Sequence, residues 1–211
     1  MMDALACVSL QRELAEALGS GMQHKRRGSF EAAAQAFSVA AQGGNAVAEY
    51  QLGCLYLHGH GVFPDHAQVA YWWERSAAQG YVKALACLGT FYKKENGAVP
   101  ANPSKAAELL GAAAAKRHAI AQYQLADMYA RGHGVARDLE QASELFRQSA
   151  EQGCGPAQYR LGLCYADGLG VRPDLETAAY WLQRAANQGC APATASLSRL
   201  LQRTDADAEA T

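Results

Sequence analysis

Along the chain, apolar residues recur three and four positions apart in short runs, and glycine-rich breaks separate the runs. In one such run Ala48, Leu52, Leu55 and Tyr56 fall on a single helical face. The run breaks at Gly59-His60-Gly61, resumes after Asp65 and stops at Gly80. The same succession returns every 36 residues or so. Leu52 is echoed by Leu88, Leu125, Leu161 and Leu197, with shifts of 36, 37, 36 and 36. Gly53 is echoed by Gly89, Ala126 and Gly162, and Tyr56 by Tyr92, Tyr129 and Tyr165. The one extra residue falls between Gly97 and Asn102, in a connection, where an insertion costs little.

Each period predicts two helices and no strand. Helix A carries the leucine-glycine-tyrosine face and ends at Gly59-His60-Gly61, Gly132-His133-Gly134 or Gly168-Leu169-Gly170, where glycine can adopt the left-handed conformation that turns the chain. Helix B starts at Asp65, Asp138 or Asp174, whose carboxylates can accept from the orphan amides of a helix N-terminus. Asn102 followed by Pro103 is the same signal with proline at the first helical position. Gln68 and Gln141, three residues after their caps, are expected to complete capping boxes. Helix B ends at Gly80, Gly153 and Gly189. Its large apolar residues, Phe37, Trp72, Trp73, Leu109, Leu145, Phe146 and Trp181, are expected to be core, because one hairpin cannot bury its apolar face alone and stacked hairpins share a continuous core.

The pattern A-x-x-x-L-G-x-x-Y-x-x-G-x-G-V, then Asp, then a helix with Trp or Phe ending A-A-x-Q-G, resembles the Sel-one-like repeat (SLR) family, relatives of the tetratricopeptide repeat. Residues 154–189 carry it most fully, with Ala157, Leu161, Gly162, Tyr165, Gly168, Gly170, Val171, Asp174, Ala178, Trp181, Ala185, Ala186, Gln188 and Gly189. Residues 45–80 and 118–153 follow closely. Residues 81–117 depart most, with Glu95 for the first loop glycine, the inserted residue, and Lys116-Arg117 in place of Gln-Gly. The resemblance implies an all-α, right-handed α-solenoid, a single repeat domain over residues 1–203. Within it we expect an N-terminal capping helix at 1–18, a tetratricopeptide-like unit at 19–44, four SLR units at 45–80, 81–117, 118–153 and 154–189, and a closing helix at 190–203. The polar run 204–211 is expected to be a disordered acidic tail.

Composition narrows the functional classes. The 211 residues carry Lys+Arg 19 against Asp+Glu 20, a formal net charge of −1, so there is no basic excess to neutralise a phosphate backbone. No apolar run approaches the roughly 20 residues that span a bilayer. Residues 1–18 carry Asp3, Glu13 and Glu16 and lack the basic and apolar regions of a leader, so a cytoplasmic location is expected. The cysteines are Cys7, Cys54, Cys87, Cys154, Cys164 and Cys190, with no C-x-x-C among them, and buried free thiols are the expectation. His58, His60 and His66 cluster around one loop and could in principle hold a divalent cation, but His133 repeats His60 without the other two, which favours a plain glycine loop. The G-x-G loops follow helices and lack the third glycine of a dinucleotide site, and no G-x-S-x-G, H-E-x-x-H or P-loop occurs. No cofactor, metal or enzymatic activity is expected.

The remaining candidate is the face of helix A that lines the concave side of tetratricopeptide-like arrays. Two positions before the repeated leucine stand Tyr50, Tyr123 and Tyr159; two after stand Cys54, Asp127, Leu163 and Arg199; and Lys93, Lys94 and Arg131 follow further along. Tyrosine and arginine are enriched in interface hot spots. The expected function is a non-catalytic scaffold or adaptor binding a peptide or protein partner through Tyr50, Lys93, Lys94, Tyr123, Asp127, Arg131 and Tyr159, as a monomer or weak dimer. The alternatives are an immunity or inhibitor protein that neutralises a cognate effector, then a thiol- or metal-linked assembly factor or hydrolase.

Overall fold

A computed structural model describes the backbone of residues 2–97 and 99–209, and side chains for 8–97 and 99–202. Among the described residues it contains eleven helices and no extended strand. Contacts divide the chain into two compact units, Met1–Asn102 and Pro103–Thr211. Unit 1 holds α1 (Met2–Arg26), α2 (Phe30–Gln42), α3 (Ala46–His58), α4 (His66–Ala78) and α5 (Val82–Tyr92). Unit 2 holds α6 (Pro103–Ala115), α7 (Ala119–Arg131), α8 (Leu139–Glu151), α9 (Gly155–Asp167), α10 (Leu175–Asn187) and α11 (Ala191–Glu209). Within each unit every helix packs against its neighbours in sequence, as stacked helix-turn-helix repeats require.

Two boundaries differ from the sequence reading. The capping helix and helix A of the first unit are one continuous helix, α1, with no break at residue 18. Gly21 lies inside it, where a Cβ would stand 2.6 Å from the Phe37 ring, so this glycine makes room for α2 and does not end the helix. Helix α11 continues as helical backbone past Arg203 to Glu209, since neither glycine nor proline follows Pro192 to stop it.

The predicted aspartate caps form. Asp65, Asp138 and Asp174 accept from amides of α4, α8 and α10. The capping boxes do not. The backbone N–H of each cap already donates to the carbonyl of the repeat's tyrosine: Asp65 to Tyr56 at 3.3 Å, Asp138 to Tyr129 at 3.0 Å, Asp174 to Tyr165 at 2.9 Å, and likewise Asn102 to Tyr92 at 2.8 Å. With that donor taken, Gln68 accepts instead from the Trp72 indole N–H at 3.1 Å.

The second glycine of each loop sets one hairpin on the previous one. A Cβ on Gly61 would fall on the backbone of Phe30 and Glu31, on Gly134 on Pro103, and on Gly170 on Leu139 and Glu140. Phe30, Pro103 and Leu139 are each the first residue of the preceding helix B. In the divergent repeat the connection after α5 closes through reciprocal backbone hydrogen bonds of Asn96 and Val99 at 3.0 Å. That turn holds Gly97 at positive φ, where a Cβ would stand 3.1 Å from the His66 imidazole, a side-chain contact on the first residue of α4 and not a backbone one. The backbone-on-backbone contact of the G-x-G loops is therefore not repeated here.

A polar pair whose helix-A member is buried closes each regular hairpin. Gln158 donates to the Ala150 carbonyl at the end of the previous helix B and accepts from Gln188 at 2.7 Å. Gln122 donates to the Ala114 carbonyl and accepts from Gln152 at 2.6 Å. At the same position unit 1 has Glu49, fully buried, which accepts from Gln79 at 2.7 Å but has no proton to donate. Arg75 supplies it, donating to Glu49 at 2.9 Å and to the Ala41 carbonyl at 3.4 Å. In the divergent repeat all three positions change together, to Leu85, Ala112 and Lys116.

Removing Arg75 should therefore leave the buried Glu49 carboxylate without its counter-charge, with Gln79 as its remaining donor. Arg75→Gln is expected to lose about 2–3 kcal/mol in equilibrium urea unfolding. Glu49→Gln on that background, which recreates the pair found in α7 and α8, should recover most of it. Arg117, the one described non-glycine residue at positive φ (60°), ends α6 where the other repeats have glycine. Arg117→Gly is expected to gain about 1 kcal/mol in the same assay.

Candidate protein-binding surface

In unit 2 the predicted α7 residues form one cluster with a residue of α9. Asp127 is mostly buried and pairs with Arg131 at 3.0 Å and with Arg160 at 3.5 Å. The Arg160 guanidinium lies 5.5 Å from the centre of the Phe146 ring, and Tyr123 tilts against that same ring at 5.9 Å. Arg131 remains two-thirds exposed. Burial pushes the Tyr123 hydroxyl up, with Asp127 adding to the rise and Arg160 opposing it. Tyr159 is half-buried and packs toward the core of α10 and α11, built on Ala178, Leu182, Ala193 and Leu200.

Farther along the same face a cavity of about 230 Å³ opens between α9 and α11. Leu163, Ala166, Leu182 and Leu200 supply its apolar lining, and Asp167, Ser196 and Arg199 its polar groups. Leu163 and Arg199 stand two residues after the repeated leucine, the position that Asp127 holds on α7. Arg160 and Ser196 stand one residue before it. The pairing of plus-two on one helix A with minus-one on the next thus produces an ion pair between α7 and α9 and a cavity between α9 and α11. The sequence reading identified the plus-two positions and missed Arg160. The minus-one position would have revealed it once the two were known to face each other.

In unit 1 Tyr50 is half-buried, stacked 6.2 Å from Trp73 and tilted 5.4 Å from Tyr81. The Trp73 indole N–H donates to the Tyr50 carbonyl at 3.1 Å, and the Tyr50 hydroxyl lies 3.7 Å from the Cys87 sulfur. Lys93 and Lys94 sit beyond the end of α5, Lys94 exposed, with its carbonyl accepting from Asn96 at 2.8 Å. The seven predicted residues are therefore divided: Tyr50, Lys93 and Lys94 in unit 1, the other four in unit 2.

Of the helix-B residues expected in the core, Phe37, Trp72, Trp73, Leu145 and Phe146 are buried, while Leu109 and Trp181 are half-buried. The three histidines of the first loop do not converge. His58 and His60 stack on each other at 5.4 Å and His60 on Phe30 at 4.5 Å, whereas His66 sits edge-on to Phe91. Among the described residues no group of three His, Cys, Asp or Glu is placed to hold a metal ion. Cys54, Cys87, Cys154, Cys164 and Cys190 are free; the Cys7 side chain lies outside the described residues. No described helix is long and apolar enough to cross a membrane.

The Sel1 repeat pattern matches residues 46–81, 82–118, 119–154 and 155–190, more than half of the chain. The chain belongs to the Sel1 repeat family. Proteins of this family generally mediate protein–protein interaction. Among similar solved structures, c5321 from uropathogenic Escherichia coli, a protective antigen with an SLR fold, is 33% identical at a TM-score of 0.78, over 81% of this chain and 36% of that one. A Sel1 repeat protein from Oxalobacter formigenes is 27% identical at a TM-score of 0.79, over 85% of this chain and 73% of that one. The ERAD-associated E3 ubiquitin-protein ligase component HRD3B of Arabidopsis thaliana is 32% identical over 119 residues, which is 56% of this chain and 18% of that protein. The chain thus spans under a fifth of the length of that relative.

Burial pushes the Cys164 thiol on α9 up from 9.0 to about 11, with Arg160 opposing and Asp167 adding to the rise. Its contribution to stability is full below pH 9 and is lost as the pH rises toward about 11, because the unfolded thiol ionises first, at roughly 1.4 kcal/mol per pH unit. Urea unfolding between pH 8 and 11 should show a steeper alkaline decline for the native chain than for Cys164→Ala.

Proposed function

We propose that this chain is a non-catalytic scaffold that binds a peptide or protein segment along the A-helix face, the side that lines the concave surface of such arrays. The observation that carries the reading is the run of changing chemistry at one repeated register in unit 2: exposed Arg131 and the Asp127–Arg160 pair, then the cavity beside Leu163 and Arg199. Such a surface offers an apolar seat for one side chain with arginines on either side of it. Aromatic and arginine contacts of this kind dominate binding energy when a rigid scaffold presents them already ordered. Tyr123 and Tyr159 would contribute their exposed edges; Tyr50, Lys93 and Lys94 would offer a separate contact on unit 1.

The non-catalytic part of the reading rests on where the buried polar groups are spent. Glu49, Gln122, Gln158, Ser76 and Ser149 are all engaged in hydrogen bonds that join helices within or between hairpins. A cytoplasmic site of action, as a monomer or weak dimer, is in keeping with five free cysteines. The relative named as a component of a ubiquitin ligase supports a role inside an assembly.

The test is a cross-linking pull-down from the native lysate, followed by affinity measurement with the purified partner. Leu163→Glu with Arg199→Glu, and separately Tyr123→Ala with Arg131→Ala, are each expected to weaken binding at least about tenfold while circular dichroism remains native. Unchanged affinity in both variants would reject this face. One nanomolar partner would make the protein an inhibitor; several micromolar partners would make it an adaptor.

A further inference from the structure

The register that sets Asp127 against Arg160 in unit 2 is occupied in unit 1 by two cysteines. Cys54 stands two residues after Leu52 and Cys87 one before Leu88, as Asp127 stands after Leu125 and Arg160 before Leu161. Side chains at this pair of positions meet across α7 and α9, and they line one cavity across α9 and α11. In unit 1 the meeting point is Tyr50, whose hydroxyl lies 3.7 Å from the Cys87 sulfur and which stands one helical turn before Cys54 on α3, close enough for the two to interact electrostatically. Two free thiols, both partly exposed, therefore flank Tyr50 between α3 and α5.

We propose that Cys54 and Cys87 form a redox-active dithiol that closes to an intramolecular disulfide by exchange with a low-molecular-weight disulfide of the glutathione type. One cysteine loses its proton to solvent and its thiolate attacks the small disulfide, forming a mixed disulfide and releasing one small thiol. The thiolate of the second cysteine then attacks the protein sulfur, closes the Cys54–Cys87 bond and releases the second small thiol. Two electrons and two protons pass from the protein dithiol to the small disulfide. The surroundings favour this product over a bound soft metal ion. Tyr50, Trp73 and Tyr81 make the site largely apolar, and burial already holds both thiols above their ordinary range, with Lys25 near Cys54 and Lys83 near Cys87 as the opposing charges. A disulfide is neutral, whereas a pair of thiolates on a monovalent cation would leave a net negative charge in that setting. The bond would tie α3 to α5 beside Tyr50, covalently joining consecutive hairpins.

The reduced full-length chain, incubated with oxidised glutathione at pH 8, is digested with trypsin without reduction. The expected product is residues 28–75 linked to residues 84–93, from a monomer lighter by two hydrogen atoms and reversed by dithiothreitol. Its melting temperature should rise by about 5 °C or more over the reduced chain. Cys54→Ser and Cys87→Ser should each abolish the linked peptide and leave one glutathione on the remaining cysteine. Glutathione retained separately on both cysteines of the native chain, linkage of either to another cysteine, a disulfide between two chains, or no reaction at either site would each overturn the proposal. The mapping requires no binding partner, so its failure is distinct from failure of the scaffold reading.

Discussion

The contact on which the stacking depends is backbone against backbone. In each regular loop the second glycine lies so close to the first residue of the preceding helix B that a methyl group has no place to go. Side-chain packing alone leaves a helical hairpin free to slide or rotate on its neighbour by small amounts, because apolar contacts are many, weak and non-directional. A glycine pressed onto a peptide plane permits one distance. The divergent repeat differs at this point. It lacks the G-x-G, and its loop closes instead through the Asn96–Val99 backbone pair, with only the His66 side chain near Gly97.

With the distance set, the polar interior can be satisfied. No buried side-chain nitrogen or oxygen among the described residues lacks a hydrogen-bond partner. The repeated glutamine of helix A achieves this in two directions, accepting from its own hairpin and donating to the previous one. Glu49 shows that the arrangement is chemical and not merely steric. A carboxylate can perform only the accepting half, and Arg75 performs the other. Where the pair is absent, as at Leu85, Ala112 and Lys116, the position on helix A is apolar and buried. A half-satisfied pair would cost more than none.

The same rigid register explains how one architecture carries different surface chemistry along its length. A fixed pair of positions on successive A helices is thiol and thiol in unit 1, carboxylate and guanidinium between α7 and α9, and leucine and serine beside a cavity between α9 and α11. These positions lie at the edge of the packed interior, from part-exposed Arg160 to buried Ser196, and away from the glycine contacts and the polar pairs, so they can vary without disturbing either. Variation at a constant spacing is what a repeat protein requires to recognise an extended partner.

Much of this was legible in one dimension because the fold is built from local contacts. Period, helix identity, aspartate caps and the leucine-tyrosine core follow from spacing, since residues on one helical face recur three or four apart and the same face returns once per period. The sequence by itself therefore determined the all-α hairpin repeat, the placement of its turns and the irregularity of residues 81–117. It did not decide which partners the polar groups choose. Gln68 was expected to cap its own helix and bonds Trp72 instead, because the Tyr56 carbonyl had already taken the Asp65 amide. Nor could it show that plus-two on one helix A meets minus-one on the next, which brings Asp127 to Arg160 and sets Cys54 and Cys87 on either side of Tyr50. That offset arises from how closely and at what angle neighbouring helices pack, and only the tertiary structure supplies it.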